Sequence, residues 1–407
     1  MFNVLLFILN MICFSADLLV PVTSASIRGG VLALEEDGTV SGIFQPAEAP
    51  FPNAQIQKLK GILCPGFINT HCHLELSYLR NKIDKGVSLD GFISQLEQEK
   101  KKPSDTGIIL AAITKAEEEM MREGIVAVGD ISNSEDSFQV KKKNKLIYHT
   151  FIEVFGSDAE RADEFFNNAR SLYSVALSEG LTASVVPHSA YSISGELFRL
   201  IGSYAYKTGG LMSIHHQENE DENLYFETGD GPIAERLKRF GINVQSNSSP
   251  GLRPIHIVAH HLPWNNKLLL VHNTASGGGD IAFAMQHFKK LWWCLCPNSN
   301  LYISGKLPDI PALRRVGARI TLGTDSLASN PVLSILEEMK TISNYYPEVS
   351  LEELLLWATL NGAEALGFSG HLGSFETGKR PGVVLIEQEV GENVILAQDS
   401  RVRKILQ

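Results

Sequence analysis

Cysteine is scarce in this chain, with five in 407 residues at irregular spacing. That excludes a disulfide framework and leaves the fold to its apolar core. Basic residues are in deficit, 36 Lys and Arg against 46 Asp and Glu, for a formal net charge of −10. With a sequence pI of about 5.7, this excludes a general nucleic-acid binder. No apolar run is long enough to span a bilayer. The N-terminal run VLLFILNM is short, and Asp17 follows soon after it. No Lys or Arg precedes Arg28 and no A-x-A-like site follows, so the charged start and cleavage site of a signal peptide are missing. Residues 1–10 read as a start-site extension with the functional start near Met11; an export signal is the competing reading. The expectation is a cytoplasmic protein with no membrane and no nucleic-acid partner. Low-complexity tracts and short-period repeats are also absent.

What the chain does have is 44% hydrophobic and 20% charged residues, the balance of a folded protein with a large core. Residues 14–60 alternate short apolar runs with turn residues, a meander of strands. The C-terminal stretch GVVLIEQEV, NVILAQ and RVRKIL has the same character, so the two ends can pair into one small β-domain. The middle alternates strand and helix. Strand candidates fall at 62–70, 125–130, 146–154, 182–187, 211–216, 268–272, 291–296 and 319–325. Helical candidates fall at 106–122, 158–178, 194–206, 231–240, 281–290 and 331–343. In the first helix Ile109, Ile113, Ala116 and Met120 share one stripe. Eight strands with interposed helices predict an α/β fold, a (β/α)8 TIM-like barrel, with a small β-sandwich domain built from both termini. A doubly wound open sheet fits the same pattern. The expected domain limits are 1–60 and 371–407 for the composite β-domain and 61–370 for the barrel.

In a parallel barrel the C-terminal strand ends form the active face. Five of the eight end in His or Asp: His71-Cys72-His73, Pro187-His188-Ser189, His215-His216-Gln217-Glu218, His272-Asn273-Thr274 and Thr324-Asp325-Ser326. An H-x-H alone is a weak signal in a chain with 12 His. In a strand, however, residues two apart share a face, so His71 and His73 can grip one ion. Three imidazoles and a carboxylate suit one divalent metal, Zn²⁺ first and Fe²⁺ or Mn²⁺ next. Such an ion makes hydroxide available near neutral pH.

The segments CPGFINTHCHLE, PHSAYS, IHHQE, LLVHNT, CPNSNLYISGKLPDI and LGTDSLASN resemble the amidohydrolase superfamily. They are most similar to its cyclic-deaminase branch, which includes S-adenosylhomocysteine deaminase, guanine deaminase and the triazine chlorohydrolases. Six segments run in family order. The resemblance implies that His71, His73, His215 and Asp325 are metal ligands, with Asp325 also taking a proton from the water. It implies that Glu218 protonates the ring nitrogen, that His272 bonds the nucleophilic water, and that His188 contacts substrate. His216 is the rival to His215, since a one-residue slip flips the face; Glu218 three residues on favours His215. Strand four carries no Lys of the kind the two-metal branch would need, so one metal is favoured.

The text after H-x-H, HLELSYLRNKIDKGVSLDGFISQLEQEKK, looks like the 6-amino-6-deoxyfutalosine deaminases of bacterial menaquinone synthesis. That implies a small-molecule substrate, an adenine-type nucleoside, with Glu75 and Ser77 as candidate substrate contacts and helix entry as the structural alternative. S-adenosylhomocysteine, methylthioadenosine or guanine deamination, and chlorohydrolase or cyclic amidase chemistry, remain alternatives, as does a non-catalytic scaffold. Asn298, in the Asn298-Ser299-Asn300 segment, is placed on the pocket wall. A homodimer is left open.

Several features are expected to be structural only. Cys294 and Cys296 read as buried core, and Cys72 as pointing away from the ion. Lys141-Lys142-Lys143 reads as a solvated loop. Gly277-Gly278-Gly279 reads as a helix start. His256, His260 and His261 read as a lid or loop.

Overall fold

The structure, a computed structural model, describes residues 11–103, 105–242, 244, 251–392 and 394–406. Residues 1–10, including the proposed start-site extension, lie outside the described residues. The described residues form fifteen strands. β1 (Ile12–Leu19), β2 (Ile27–Arg28), β3 (Val31–Leu34), β4 (Val40–Phe44) and β5 (Ile56–Pro65) come from the N-terminal region, and β14 (Val383–Glu387) and β15 (Arg401–Leu406) from the C-terminal one. Together they form one seven-stranded sheet of order β15-β14-β5-β1-β3-β4, with β2 paired to β1. The join between the two ends is the antiparallel pairing of Val383–Ile386 with Ile62–Pro65. Leu19, Leu32, Leu34, Leu63, Phe375 and Leu385 are buried together on this sheet.

Between them run β6 (Phe67–Cys72), β7 (Ile125–Ser132), β8 (Ile147–Val154) and β9 (Thr182–Pro187), in one four-stranded sheet. A second contains β10 (Met212–His216), β11 (Lys267–His272), β12 (Lys290–Leu295) and β13 (Ile320–Leu322), parallel throughout. This is an α/β fold with parallel sheets. Two isolated parallel bridges, Ser189 with His215 and Cys72 with Asp325, lie at the ends of these sheets' outer strands. Their strands are almost wholly buried, as the continuous apolar runs demand.

The chain divides into two compact units. One comprises residues 1–69, 118–127 and 334–407, the other 70–117 and 128–333. The division passes through β6 and β7. The helix Thr106–Arg122 spans the predicted residues, and Ile113, Ala116 and Met120 of its stripe are buried. No helix among the described residues is long and apolar enough to cross a membrane.

Four expectations are corrected. NVILAQ forms no strand in its described part: Gln388 bonds the carbonyl of Ile395 and the N–H of Ala397 through its side-chain amide, which takes backbone groups a ladder would use. The strand expected over 62–70 is broken at Gly66, where β5 ends and β6 begins. Lys141 is not solvated: it ends the short helix Phe138–Lys141 and is only 1% exposed, while Lys142 and Lys143 are exposed. His256, His260 and His261 lie on a helix, Pro254–His261, rather than a loop. Proline at its first position is compatible with a helix start, which the Pro-rich text masked.

Candidate metal and catalytic centre

All five expected His and Asp groups at the strand ends converge. His71 lies in β6 and His73 directly follows it, His215 lies in β10, His272 ends β11, and Asp325 follows β13. The Nε2 atoms of His73 and His215 are 3.2 Å apart. Asp325 Oδ1 lies 3.6 Å from His71 Nε2 and 3.5 Å from His73 Nε2. The rings of His71 and His215 stand edge to face at 4.8 Å. Two donor groups that could hold an ion share His71: one with His73 and Asp325, one with His215 and His272. Every one of these side chains is buried.

Local backbone geometry produces this convergence. His272 and Asp325 adopt left-handed φ values of 72° and 55°, and Gln217 and Asn273 values of 43° and 62°. Non-glycine residues hold this region only where their surroundings over-determine it. Gly323 permits the close approach of the chain before Asp325: a Cβ there would lie 2.8 Å from the His71 Cβ and 2.9 Å from the Cys294 sulfur.

The donor set fits a divalent metal. Burial pushes His73 and His215 well below the ordinary imidazole range, so their rings are neutral. His215 Nδ1 faces the His188 carbonyl at 3.1 Å and Glu153 Oε1 at 3.3 Å, which assigns its proton to Nδ1 and leaves the Nε2 lone pair to the centre. Burial alone would raise the Asp325 carboxyl. The bonded side chain of His71 and the charge of His272 instead hold it well below its usual range. Its Oδ2 accepts from the hydroxyls of Ser299 and Ser329, each at 2.6 Å. Neutral imidazoles and an ionised carboxylate, buried at one point, are what a zinc-type ion requires. His216, the rival ligand, turns to Asn273, its Nδ1 being 3.1 Å from that amide oxygen.

Glu218 is buried, with Oε1 3.8 Å from His272 Nε2, and burial pushes its carboxyl up. His272 Nδ1 faces the Asn300 amide oxygen at 3.1 Å, which turns its Nε2 toward Glu218. Burial alone would lower this imidazole, but the charges of Glu218 and Asp325 hold it up. His188 is half-buried and stacks on His215 at 4.6 Å. Its Nδ1 lies 2.8 Å from the Ser192 hydroxyl, and burial brings it down to about 4.

The other expected contacts have partners of their own in the fold. Glu75 Oε2 accepts from the N–H groups of Asn133 and Ser134 and from the Ser134 hydroxyl. Ser77 donates to the Leu74 carbonyl within the turn Leu74–Leu79. Asn298 is half-buried in the first turn of Pro297–Ile303; its neighbours Ser299 and Asn300 carry the contacts to Asp325 and His272.

Strands two and three also deliver acids, which the sequence reading passed over. Asp130 is buried in β7, and Glu153 in β8 touches His215. The signal was present: each is a lone carboxylate near the end of an apolar strand, IVAVGD and IYHTFIEV. Glu222 was missed too. Its two oxygens accept the backbone N–H groups of Gln217 and Glu218, at 3.1 and 2.9 Å.

Known proteins resemble this chain over most of its length. The family model described as "Amidohydrolase family" matches residues 62–404. The chain belongs to the amidohydrolase family. This amidohydrolase is 27% identical to an aminodeoxyfutalosine deaminase of a Nitratiruptor species over 84% of its own chain and 83% of that protein. Its fold resembles the crystal structure of Helicobacter pylori aminofutalosine deaminase in complex with methylthio-coformycin. The TM-score is 0.79 at 24% identity, covering 97% of this chain and 98% of that one. An adenosine deaminase of Xanthomonas campestris with bound zinc has a TM-score of 0.74 at 21% identity, covering 97% and 90%.

Proposed function

We propose that this amidohydrolase hydrolytically deaminates an adenine-type nucleoside at a single divalent-metal centre, with 6-amino-6-deoxyfutalosine of menaquinone synthesis as the leading substrate. The observation that carries the reading is the meeting of His71, His73, His215 and Asp325 in one buried cluster, with Glu218 beside His272. The Nitratiruptor relative supports the substrate class.

His71, His73, His215 and Asp325 would hold the ion, and the nitrogen-rich donor set favours Zn²⁺. When bound, the ion supplies Lewis acidity that brings a water's ionisation toward neutral pH. Ser299 and Ser329 hold Asp325 Oδ2, so Oδ1 is the oxygen left to take the proton from the attacking water. Attack at the amidine carbon drives an electron pair onto the adjacent ring nitrogen, and Glu218 protonates that nitrogen. The proton on Asp325 passes to the departing amine, ammonia leaves as the C–N bond breaks, and the hydroxyl proton released on forming the C=O returns to Glu218. His272, fixed by Asn300, orients the water, and His188 and the segment containing Asn298 line the substrate's position. Glu75 and Ser77 contact substrate only if the turn Leu74–Leu79 gives up its present bonds.

We also infer that the two four-stranded sheets close into one (β/α)8 barrel. The Ser189–His215 and Cys72–Asp325 bridges support that closure. Residues 61–370 would form the catalytic body, and residues 1–60 and 371–407 the composite β-domain, as a sandwich.

The test is a panel of 6-amino-6-deoxyfutalosine, methylthioadenosine, S-adenosylhomocysteine, adenosine and guanine, scored by ammonia release and ultraviolet change. Ammonia from an adenine nucleoside is expected. Turnover of guanine alone, or chloride release from a chlorotriazine with no deamination, would overturn the reading.

A further inference from the structure

Lys141 came out of the sequence as part of a solvated run and lies instead in the interior. Its Nζ is 2.5 Å from Asp130 Oδ2, and both side chains are fully buried. It also donates to the hydroxyls of Ser132 at 2.9 Å and Thr150 at 3.3 Å. The rings of Phe138 and Tyr148 flank it at 5.5 and 5.7 Å. The other oxygen of Asp130 accepts the backbone N–H of Leu74 at 2.8 Å. Leu74 is the residue immediately after His73.

A buried ion pair is weak evidence for stability, because desolvating two charges offsets most of their attraction. An apolar pair of the same volume would fill this space as well. What an apolar pair could not do is accept the Leu74 N–H. That bond fixes the chain where it leaves β6 and turns into Leu74–Leu79. It therefore fixes the backbone from which the His73 ring reaches Asp325 and His215.

We propose that the buried Asp130–Lys141 pair is a positioning device for the H-x-H segment: Lys141 holds the Asp130 carboxylate in place, and Asp130 clamps the Leu74 N–H so that His73 is presented to the metal. Both are positioning residues, not ligands. The inference rests on the reading of His73 as a ligand.

The experiment measures zinc affinity of the full chain by competition with a chromophoric chelator, and thermal unfolding of each metal-free form. Asp130→Leu/Lys141→Met removes the charges and the acceptor together. Asp130→Asn/Lys141→Met removes the charges but keeps an oxygen for Leu74. Positioning of a ligand is worth typically about 10–100-fold in metal affinity. The leucine form should lose zinc affinity in that range, and the asparagine form should recover to within a few-fold of wild type. If the leucine form does not fold, Asp130→Ala/Lys141→Met replaces it under the same criteria. A folded form without the acceptor that binds zinc like wild type overturns the proposal, as does an asparagine form that loses as much as the leucine form. If wild type itself binds no zinc, it is the metal reading that fails.

Discussion

At the scale of single residues, two acids in this site are asked to do different things, and substitution separates them. Glu218 lies beside His272 and outside the ligand set, so Glu218→Gln should keep metal and fold. General acid–base steps contribute typically ~10²–10⁴-fold, so kcat should fall by at least about 10². Asp325→Asn should lower metal content as well, because Asp325 sits against both His71 and His73. Metal analysis and steady-state kinetics on the two variants check this; loss of metal from Glu218→Gln would reassign the strand-five residues. Glu222 gives a pH prediction. Burial pushes its carboxyl from the ordinary 4.5 up to about 8, despite the two backbone N–H groups it accepts. The folded chain therefore holds a proton that the unfolded chain releases between these values. Its contribution to stability is complete below about pH 4.5 and is lost as pH rises through about 8, with a slope of at most about 1.4 kcal/mol per pH unit. The unfolding temperature of Glu222→Gln should fall less between about pH 5 and 8 than that of wild type. Equal slopes would show that Glu222 is ionised in the fold.

At the scale of elements, close approach outweighs local preference. Gly202 lies within the helix Gly195–Thr208, where alanine would normally gain roughly 1 kcal/mol. A Cβ at Gly202 would fall 2.0 Å from the carbonyl oxygen of His261, at the end of Pro254–His261. Backbone cannot rotate aside as a side chain can, so the two helices must separate, and overpacking of this kind costs about 1–3 kcal/mol. Gly202→Ala is expected to lower the denaturant midpoint, whereas an unchanged or raised midpoint would mean that the helices part freely. The same contest explains which elements the sequence revealed. The apolar stripe of Thr106–Arg122 and the run Thr182–Pro187 have a single period, and both elements span the predicted residues. The helix Pro254–His261 was hidden because its proline and three histidines masked the short helical spacing of Ile255, Val258 and Leu262, although proline at a helix start is allowed. NVILAQ had strand composition, but the side chain of Gln388 took its backbone groups.

At the scale of the whole molecule, the metal should act as part of the fold. Four side chains from three stretches of sequence meet at one buried point, where the neutral rings of His73 and His215 face the ionised carboxylate of Asp325. One divalent ion per chain is expected by elemental analysis; two per chain, or none in active enzyme, would contradict the single cluster. An ion that binds only the folded chain adds about 2.7 kcal/mol when present at about 100 times its dissociation constant. Chelation should therefore lower the unfolding temperature, and restoring zinc should recover it. An unchanged transition would mean that the site contributes nothing to folding.

The sequence by itself determined the strand-ending histidines, Glu218 and Asp325, because the period of a strand and the order of the segments are local properties of the text. It also determined that both ends supply strands of similar character, since their turn residues and short apolar runs are alike. Only the tertiary structure decided what those groups face. That His215 rather than His216 turns to the cluster depends on Asn273, fifty-seven residues away, accepting the other ring. That the His188 carbonyl fixes the proton on His215, and that Ser299 and Ser329 hold one oxygen of Asp325, are contacts between distant strand ends with no spacing to betray them. Lys141 shows the same limit from the other side. Three adjacent lysines look alike in sequence, and burial against Asp130 singles out one of them. A charge's neighbours are set by which chain segments the core brings together, and that is not written within any one segment.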